Sequence, residues 1–591
     1  MQVLTTRYAA SLLVLALATG CAGPASPPST TSPQPTTTGA VPAAWPHRLD
    51  APVATGEHGM VVTDAPLATQ VGLDVLRAGG TAVDASIAVA FALAVVWPEA
   101  GNVGGGGLAV LHVGGTTAAL DFREMAPGRA RRDMFLDTNG APTDRSVTGH
   151  LAAGVPGSVA GLWELHRRHG TRPWADLVQP AIDLAARGFV VSADLANGVT
   201  AEASRLARFP ESARLFLPGG QPIAAGTRLV NPDLARVLTR IAQRGRDGFY
   251  TGETADLLVA EMQRGGGIIT HDDLASYDAK WRDPITFTYR GHRVASMPPP
   301  SSGGLTLAMI AQQLEAHDLR ALGWHAPATL HLQAEAMRRA FAVRNEQLGD
   351  TDFVKVDVAR LASRPFAQAL GTSIDVARAT PSVEVSGRTG ASGDGPHTTH
   401  FSVADRLGNA VALTTTINSG FGSAVTVTGA GFLLNNEMDD FASKPGAPNQ
   451  FGLVQGEANA IAPRKRMLSA MTPTIVFGQD GTPALVTGAS GGPYIITTVF
   501  QLLSAVLDHG QDVGAAMSGP RLHHQHLPDS VAMEKDGFEP ATATALERLG
   551  HRLTFFEVPS TGWTIAATIT RKDGRWRGMA DPRLHGSAAG H

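Results

Sequence analysis

Polar and apolar positions alternate along Thr399–Ala404, a run rich in β-branched and aromatic residues, and a second such run covers Ala410–Ile417. With a turn at Arg406–Asn409 between them, the pattern predicts a β-hairpin whose first strand begins at Thr398. Nearer the N-terminus the period changes. Leu67, Val71 and Val75 recur every four residues, predicting a helix that Asp64-Ala65-Pro66 opens, with Asp64 as a capping candidate, and Gly79-Gly80 closes. A second helix is expected from about Asp84. Its stretch Ala85–Val96 is apolar on nearly all sides, so it is a buried core helix, too short to span a bilayer, and Pro98 stops it. Leu108–Val113 and Thr117–Phe122 read as another hairpin, ending at Arg123. From Gly149 to about Ala369 the pattern is mostly amphipathic helix between Gly/Pro turns. Ala484–Thr487 reads as a strand, Gly488–Gly492 as a turn and Tyr494–Leu507 as an apolar helix. The class is mixed α/β, and with no repeats the chain reads as one intertwined domain.

The breaks in this pattern carry the chemistry. Ala379–His397 is rich in Gly, Ser, Pro and Thr, without hydrophobic period, and reads as an exposed segment running into the strand at Thr398. A threonine hydroxyl is a poor nucleophile without a base, and one solution is the residue's own α-amino group. That amine exists only if the chain is cut between His397 and Thr398. The plain alternative is an ordinary hairpin after a linker. An α-amine near pKa about 8 accepts a proton near neutrality, so His400, on the same strand face, is not needed as base and has a supporting role. The strand–glycine turn–helix at 484–507 leaves N–H groups free at a helix start, where negative charge is favoured. The same turn also fits G-x-S-x-G around Ser490, with Asp508 or Asp529 and His551 to complete a serine-hydrolase triad. Asn102–Gly107 lacks the Lys-Ser/Thr of a phosphate loop and reads as a tight packing turn. His523-His524-Gln525-His526 has no carboxylate or cysteine at ligand spacing and reads as structural rather than metal-binding.

Composition narrows the field. The chain has 591 residues, 43% hydrophobic and 17% charged, with 66 glycines, which suits a globular enzyme with a sizeable core. A net charge of −4 with interspersed signs gives no nucleic-acid signal. Arg7 and the apolar Ala9–Ala18 form a targeting segment, and Ala18-Thr19-Gly20 precede Cys21, the one cysteine in the chain. That arrangement resembles a bacterial lipobox and implies lipidation of Cys21. The alternative is a plain secretory signal. The expected organisation is a signal peptide over 1–21, a Ser/Thr/Pro-rich tether over 22–45, and a folded body from 46 to 591.

Several separated motifs, in order, then resemble one family. DFREMAP at Asp121–Pro127, GHLAAGVPGSVAG at Gly149–Gly161, MPPPSSGG at Met297–Gly304, TTHFSVAD at Thr398–Asp405, TTTIN at Thr414–Asn418, LLNNEMDDF at Leu433–Phe441 and TGASGG at Thr487–Gly492 are similar to the γ-glutamyltranspeptidase family of N-terminal-nucleophile hydrolases. The resemblance implies a four-layer αββα sandwich built jointly by two self-processed subunits, 46–397 and 398–591. It implies Thr398 as nucleophile, Thr416 hydrogen-bonding its amine or hydroxyl, and Gly491 and Gly492 as oxyanion donors. It further implies Arg123 and Ser469 on the substrate's α-carboxylate, and Asn418, Glu437 and Asp440 on its α-ammonium. A guanidinium at a strand end suits a carboxylate, which its fork matches in pairs. The implied partners are glutathione-like γ-glutamyl donors and a water, amino acid or peptide acceptor. The implied place is the outer face of the membrane through the lipid anchor, with no cofactor and no metal. Two departures stand out. Ala470 replaces a second serine beside Ser469, and Phe451, in the stretch Phe441–Gly452 that resembles a lid, lacks the hydroxyl common there. Within the same fold, an acylase acting on glutaryl or poly-γ-glutamyl amides is an alternative, as is a binding lipoprotein without catalysis.

Overall fold

The Thr398–Asp405 strand pairs antiparallel with Ala410–Thr416 in the register Thr398↔Thr416, so the expected hairpin is present with its tip at residues 406–409. The computed structural model describes residues 41–386, 398–557 and 564–591, all within one compact unit. The hairpin lies inside a seven-stranded antiparallel sheet, in the order Ser587–Gly590, Gly59–Thr63, Thr398–Asp405, Ala410–Thr416, Gly106–Val113, Thr116–Phe122, Lys280–Arg282. A second antiparallel sheet of seven runs Ala54–Gly56, Arg575–Ala580, Ala567–Lys572, Pro483–Thr487, Thr474–Phe477, His292–Ser296, Ile285–Tyr289. Each sheet mixes strands from before and after Thr398. A backbone cut there would leave both halves hydrogen-bonded across the same ladders.

Side-chain alternation builds the layers. Phe401, Val403, Val411 and Leu413 point outward onto the helices Pro66–Arg77 and Ala82–Val96 and join one core. Ala404, Ala410 and Ala412 face inward and meet Ile475, Val486 and Ile569 of the second sheet. The helices Gly303–Leu314, Pro327–Gln347 and Tyr494–Leu507 cover that sheet's far side. The result is the four-layer αββα sandwich. The all-apolar helix is buried at every position and starts on a Thr81/Asp84 capping box, two residues earlier than expected from Asp84. Among the described residues, no helix is long and apolar enough to cross a membrane.

Four sequence expectations need correction. Asp64 does not cap the first helix. Ala65 holds that position without a side-chain cap, and the Asp64 carboxylate instead accepts from Thr399 Oγ1 at 2.7 Å. The helix buries the row Ala68, Gly72, Leu73 and Leu76 and leaves Leu67 42% exposed, because Gly72 lets it close onto Val89 and Val61. The region read as helical also holds Lys280–Arg282, Ile285–Tyr289 and His292–Ser296, which complete both sheets. Trp45, at the end of the expected tether, is buried and donates its indole N–H to Ser518 O at 2.8 Å, so the folded body includes it.

Candidate active site

Thr398 opens its strand half-buried, and its Oγ1 lies 3.3 Å from Thr416 Oγ1 directly across the ladder. Asn418 adopts φ 75°, and its backbone N–H donates to that same Thr416 hydroxyl at 2.8 Å. Asn102 fixes the end of the partner strand, donating from Nδ2 to Thr416 O at 2.9 Å. The glycines beside it behave as a packing turn, since a Cβ on Gly105 would lie 2.2 Å from Thr416 O. Two residues along from Thr398, His400 is fully buried between the sheets. Its ring contacts Thr414 Oγ1 at 2.8 Å and Ser402 Oγ at 3.2 Å, and burial lowers its pKa to about 3, so it is neutral. It cannot serve as a base at ordinary pH.

From the second sheet, the Pro483–Thr487 strand leads into the turn that carries Gly491 at φ 123° and Gly492 at φ 52°. Such conformations suit glycine, which has no Cβ to clash. Among the described residues neither N–H makes a hydrogen bond within the protein. Gly492 and Thr398 line one pocket, together with Arg123, Asn418, Glu437, Asp440, Ser469 and Ala470. Thr416 and Phe451 line it too. Phe451 is buried, and the lid-like stretch is tied down by Gln450 Oε1 accepting from Ser419 at 2.8 Å. His397 lies outside the described residues, as do Cys21 and the expected signal peptide and most of the tether.

The expected anchors converge, and they hold one another. Arg123 Nη1 is 2.7 Å from Glu437 Oε2, its Nη2 bonds Asp440, and its Nε donates to Met467 O at 3.3 Å. The Glu437 contact is an ion pair off the hydrogen-bonding direction, and Glu437 Oε1 has no hydrogen-bond partner. Burial alone would lower the Arg123 guanidinium, but Glu437, Asp440 and Glu124 outweigh it and hold it above its ordinary value. Burial pushes Glu437 well up and Glu124 to about 8, with Arg123 opposing in both cases. Asp440 is also raised by burial, against Arg123. Ser469 Oγ accepts from the Met471 N–H at 3.0 Å, and its carbonyl accepts from Ser302 Oγ at 2.7 Å.

Two residues in or beside the pocket escaped the sequence reading. Glu124 follows Arg123 in the DFREMAP motif and is fully buried against it. Arg344 lies within the Pro327–Gln347 helix, where its neighbours suggest a solvated face, yet it is 1% exposed and lines the pocket.

The rival constellations do not assemble. Ser490 Oγ is engaged with the backbone of Ile565 at 3.3 Å. Asp508 pairs with Tyr289 and Arg290, Asp529 with Arg338 and Ser382, and His551 with His331 at 2.8 Å, so no Ser–His–Asp relay forms. His523 contacts Thr497 Oγ1 at 2.9 Å, and His526 N donates to His524 Nδ1 at 3.0 Å. His526 Nε2 meets Ser386 Oγ at 2.6 Å. The histidine cluster thus ties down the Ser382–Ser386 helix, the last described residues before Thr398.

A threonine-headed strand, free N–H groups on a facing turn and a charged pocket between two antiparallel sheets define an N-terminal-nucleophile hydrolase. The chain belongs to the gamma-glutamyltranspeptidase family, whose sequence profile matches residues 68–591. It is 44% identical to a glutathione hydrolase proenzyme of Escherichia coli (strain K12) over 530 residues, covering 89% of this chain and 90% of the relative. The fold matches a cephalosporin acylase of Bacillus halodurans with TM-score 0.81 at 27% identity, covering 93% of this chain and 99% of that one. A Helicobacter pylori gamma-glutamyltranspeptidase chain aligns with TM-score 0.54 at 44% identity, covering 54% of this chain and 93% of that one.

Proposed function

We propose that this chain is a self-processing γ-glutamyl hydrolase and transpeptidase that uses Thr398 as its nucleophile. The observation that carries the reading is the position of Thr398: opposite Thr416, at the mouth of a pocket holding Arg123, Glu437 and Asp440. In processing, Thr398 Oγ attacks the carbonyl of residue 397, the peptide N–C bond gives way to an ester, and water hydrolyses it. The freed α-amine then takes the Thr398 hydroxyl proton as Oγ attacks the donor's γ-amide carbonyl. Gly491 and Gly492 N–H groups receive the oxyanion, a contribution of a few kcal/mol in comparable sites, ~3–4 per donor. Collapse expels the amine, which takes the proton back. Water, or the amine of an amino acid or peptide, then attacks the ester and regenerates the hydroxyl.

Thr416 orients the nucleophile, while Arg123 and Ser469 hold the α-carboxylate and Asn418, Glu437 and Asp440 the α-ammonium. Two acids beside one arginine fit an amino-acid head group, which a glutaryl acyl group lacks, so the acylase reading is secondary. The processed form is a heterodimer of a large subunit that ends at residue 397 and a small subunit of residues 398–591. Cys21, by its lipobox-like setting, anchors it to the outer face of the membrane.

The test is to purify the chain without its first 40 residues, which keeps the buried Trp45, run a denaturing gel, and measure glutamate release from glutathione with and without a dipeptide acceptor. Two fragments, the smaller beginning at Thr398, and turnover are expected. Thr398→Ala should leave one chain and no turnover. A processed N-terminus elsewhere, or an active Thr398→Ala variant, overturns the assignment.

A further inference from the structure

Seven arginines are buried among the described residues, and six of them have a carboxylate within ion-pair distance. Arg344 is the exception. Its Nε donates to Ser302 Oγ at 3.1 Å, and its Nη1 donates to Asn345 Oδ1 and Gln455 Oε1, each at 3.0 Å. Its Nη2 makes no hydrogen bond and no ion pair among the described residues. The opposite charge that acts on it is Asp440, already bonded to Arg123. An isolated buried cation is costly unless an anion joins it. Burial accordingly lowers the guanidinium from its ordinary value to about 10, with Asp440 opposing.

The surroundings say where that anion belongs. Ser302, which accepts from Arg344, also holds the Ser469 carbonyl, so the guanidinium sits beside the serine end of the pocket. Gln455, its other partner, donates to Asp440 O at 3.1 Å, so it sits beside the acid end as well. Ala470, at the serine end, offers no hydroxyl to a ligand. Arg123 is already paired with Glu437 and hydrogen-bonded to Asp440 and the Met467 carbonyl.

We propose that Arg344 is a further donor-binding residue, and that its free Nη2 holds the α-carboxylate oxygen that Ala470 leaves without a hydroxyl. The inference rests on the γ-glutamyl donor reading above and refines it: the carboxylate lies between two guanidiniums rather than between one guanidinium and two serines. The pocket therefore selects for a carboxylate at the far end of the acyl chain.

Three anilides separate the contributions: γ-glutamyl, with carboxylate and ammonium, glutaryl, with the carboxylate alone, and 4-aminobutyryl, with the ammonium alone. A hydrogen bond to a charged group is worth about ten- to a hundredfold in affinity. Arg344→Gln should raise KM for the γ-glutamyl and glutaryl substrates by that factor and leave the 4-aminobutyryl KM within about twofold, with kcat little changed. Adding Ala470→Ser to Arg344→Gln should recover part of the loss for the same two substrates. Arg344→Lys, which keeps the charge, serves if the glutamine variant does not process into two fragments, and should show the same pattern at smaller size. An equal KM rise for all three substrates, or one confined to the ammonium-bearing pair, means that Arg344 only positions Asp440 and Ser469, and overturns the proposal. Failure of the donor reading looks different: the wild-type protein would then prefer the glutaryl over the γ-glutamyl anilide.

Discussion

Gly488→Ala probes whether the two sheets set the catalytic distance. Gly488 ends the Pro483–Thr487 strand, three residues before Gly491, and a Cβ there would lie 2.3 Å from His400 Cε1 and 2.4 Å from its Nδ1. The backbone at Gly488 is not left-handed, so the imidazole is the obstacle. That ring cannot swing aside cheaply, because it is fully buried and held by Thr414 and Ser402. Overpacking of this kind costs about 1–3 kcal/mol, and loss of the two hydrogen bonds adds about 1 kcal/mol each. The larger effect should be on turnover. Relief by sheet separation moves the turn with Gly491 and Gly492 away from Thr398, and a misplacement of about 1 Å in an active site costs on the order of a hundredfold. The assay is kcat/KM for a γ-glutamyl anilide beside the denaturant midpoint. His400→Asn keeps a partner for Thr414 with less bulk toward Gly488, so the double variant should recover activity relative to Gly488→Ala. Wild-type kinetics in Gly488→Ala, or strictly additive losses in the double variant, would refute the reasoning.

Asp64 is pushed up to about 7, chiefly by burial, with Asp581 and Glu99 adding and the Thr399 hydroxyl and His400 N–H opposing. Its proton stays on in the fold while the unfolded chain loses it near about pH 4, so wild-type stability falls as pH rises from there to about 7. Asp64→Asn should remove that loss, and a midpoint difference from wild type that does not grow across this window argues against it. Cys21→Ala should move active enzyme from the membrane to the soluble exported fraction, and a variant that remains membrane-bound removes the lipid-anchor reading.

Local pattern carried the hairpin at Thr398, the all-apolar helix and the strand–turn–helix around Gly491, because in each case the periodicity and the glycines act over a few residues. It failed where a distant partner decides. Asp64 stands before Ala-Pro as a helix cap does, but its partner Thr399 lies 335 residues away, and no window of sequence contains both. Ile285–Tyr289 alternates buried and exposed positions and turns at Arg290-Gly291, a legible hairpin hidden by the helices around it. Arg123, Glu437, Asp440 and Ser469 were legible through the family resemblance, and the structure gathers them in one pocket. Arg344 could not be read at all. In the run Arg344-Asn345-Glu346-Gln347 it looks like a solvated helix face, and only tertiary packing shows that it is buried.

The pairing of Arg123 with Glu437 and Asp440 bears on which ligands the pocket can accept. A fixed cation or a fixed pair of acids, emptied of ligand, would leave charge in a dry site at a cost of several kcal/mol per ion, on the order of a small domain's whole stability. Here the opposed charges satisfy one another, with Arg123 opposing the upward push of burial on Glu437 and Glu124. A zwitterionic head group can enter by exchange, its carboxylate replacing the acids at Arg123 and its ammonium replacing Arg123 at the acids. Net charge is conserved, and each ion trades one partner for another. An acyl chain ending in carboxylate alone must instead displace Glu437 or Asp440 from Arg123 and leave that acid unpaired or newly protonated. One ending in ammonium alone strands the guanidinium. The discrimination therefore comes from the penalty on the wrong ligand as much as from contacts to the right one. Arg344, which has no internal counterion, tilts the balance toward ligands that bring a carboxylate.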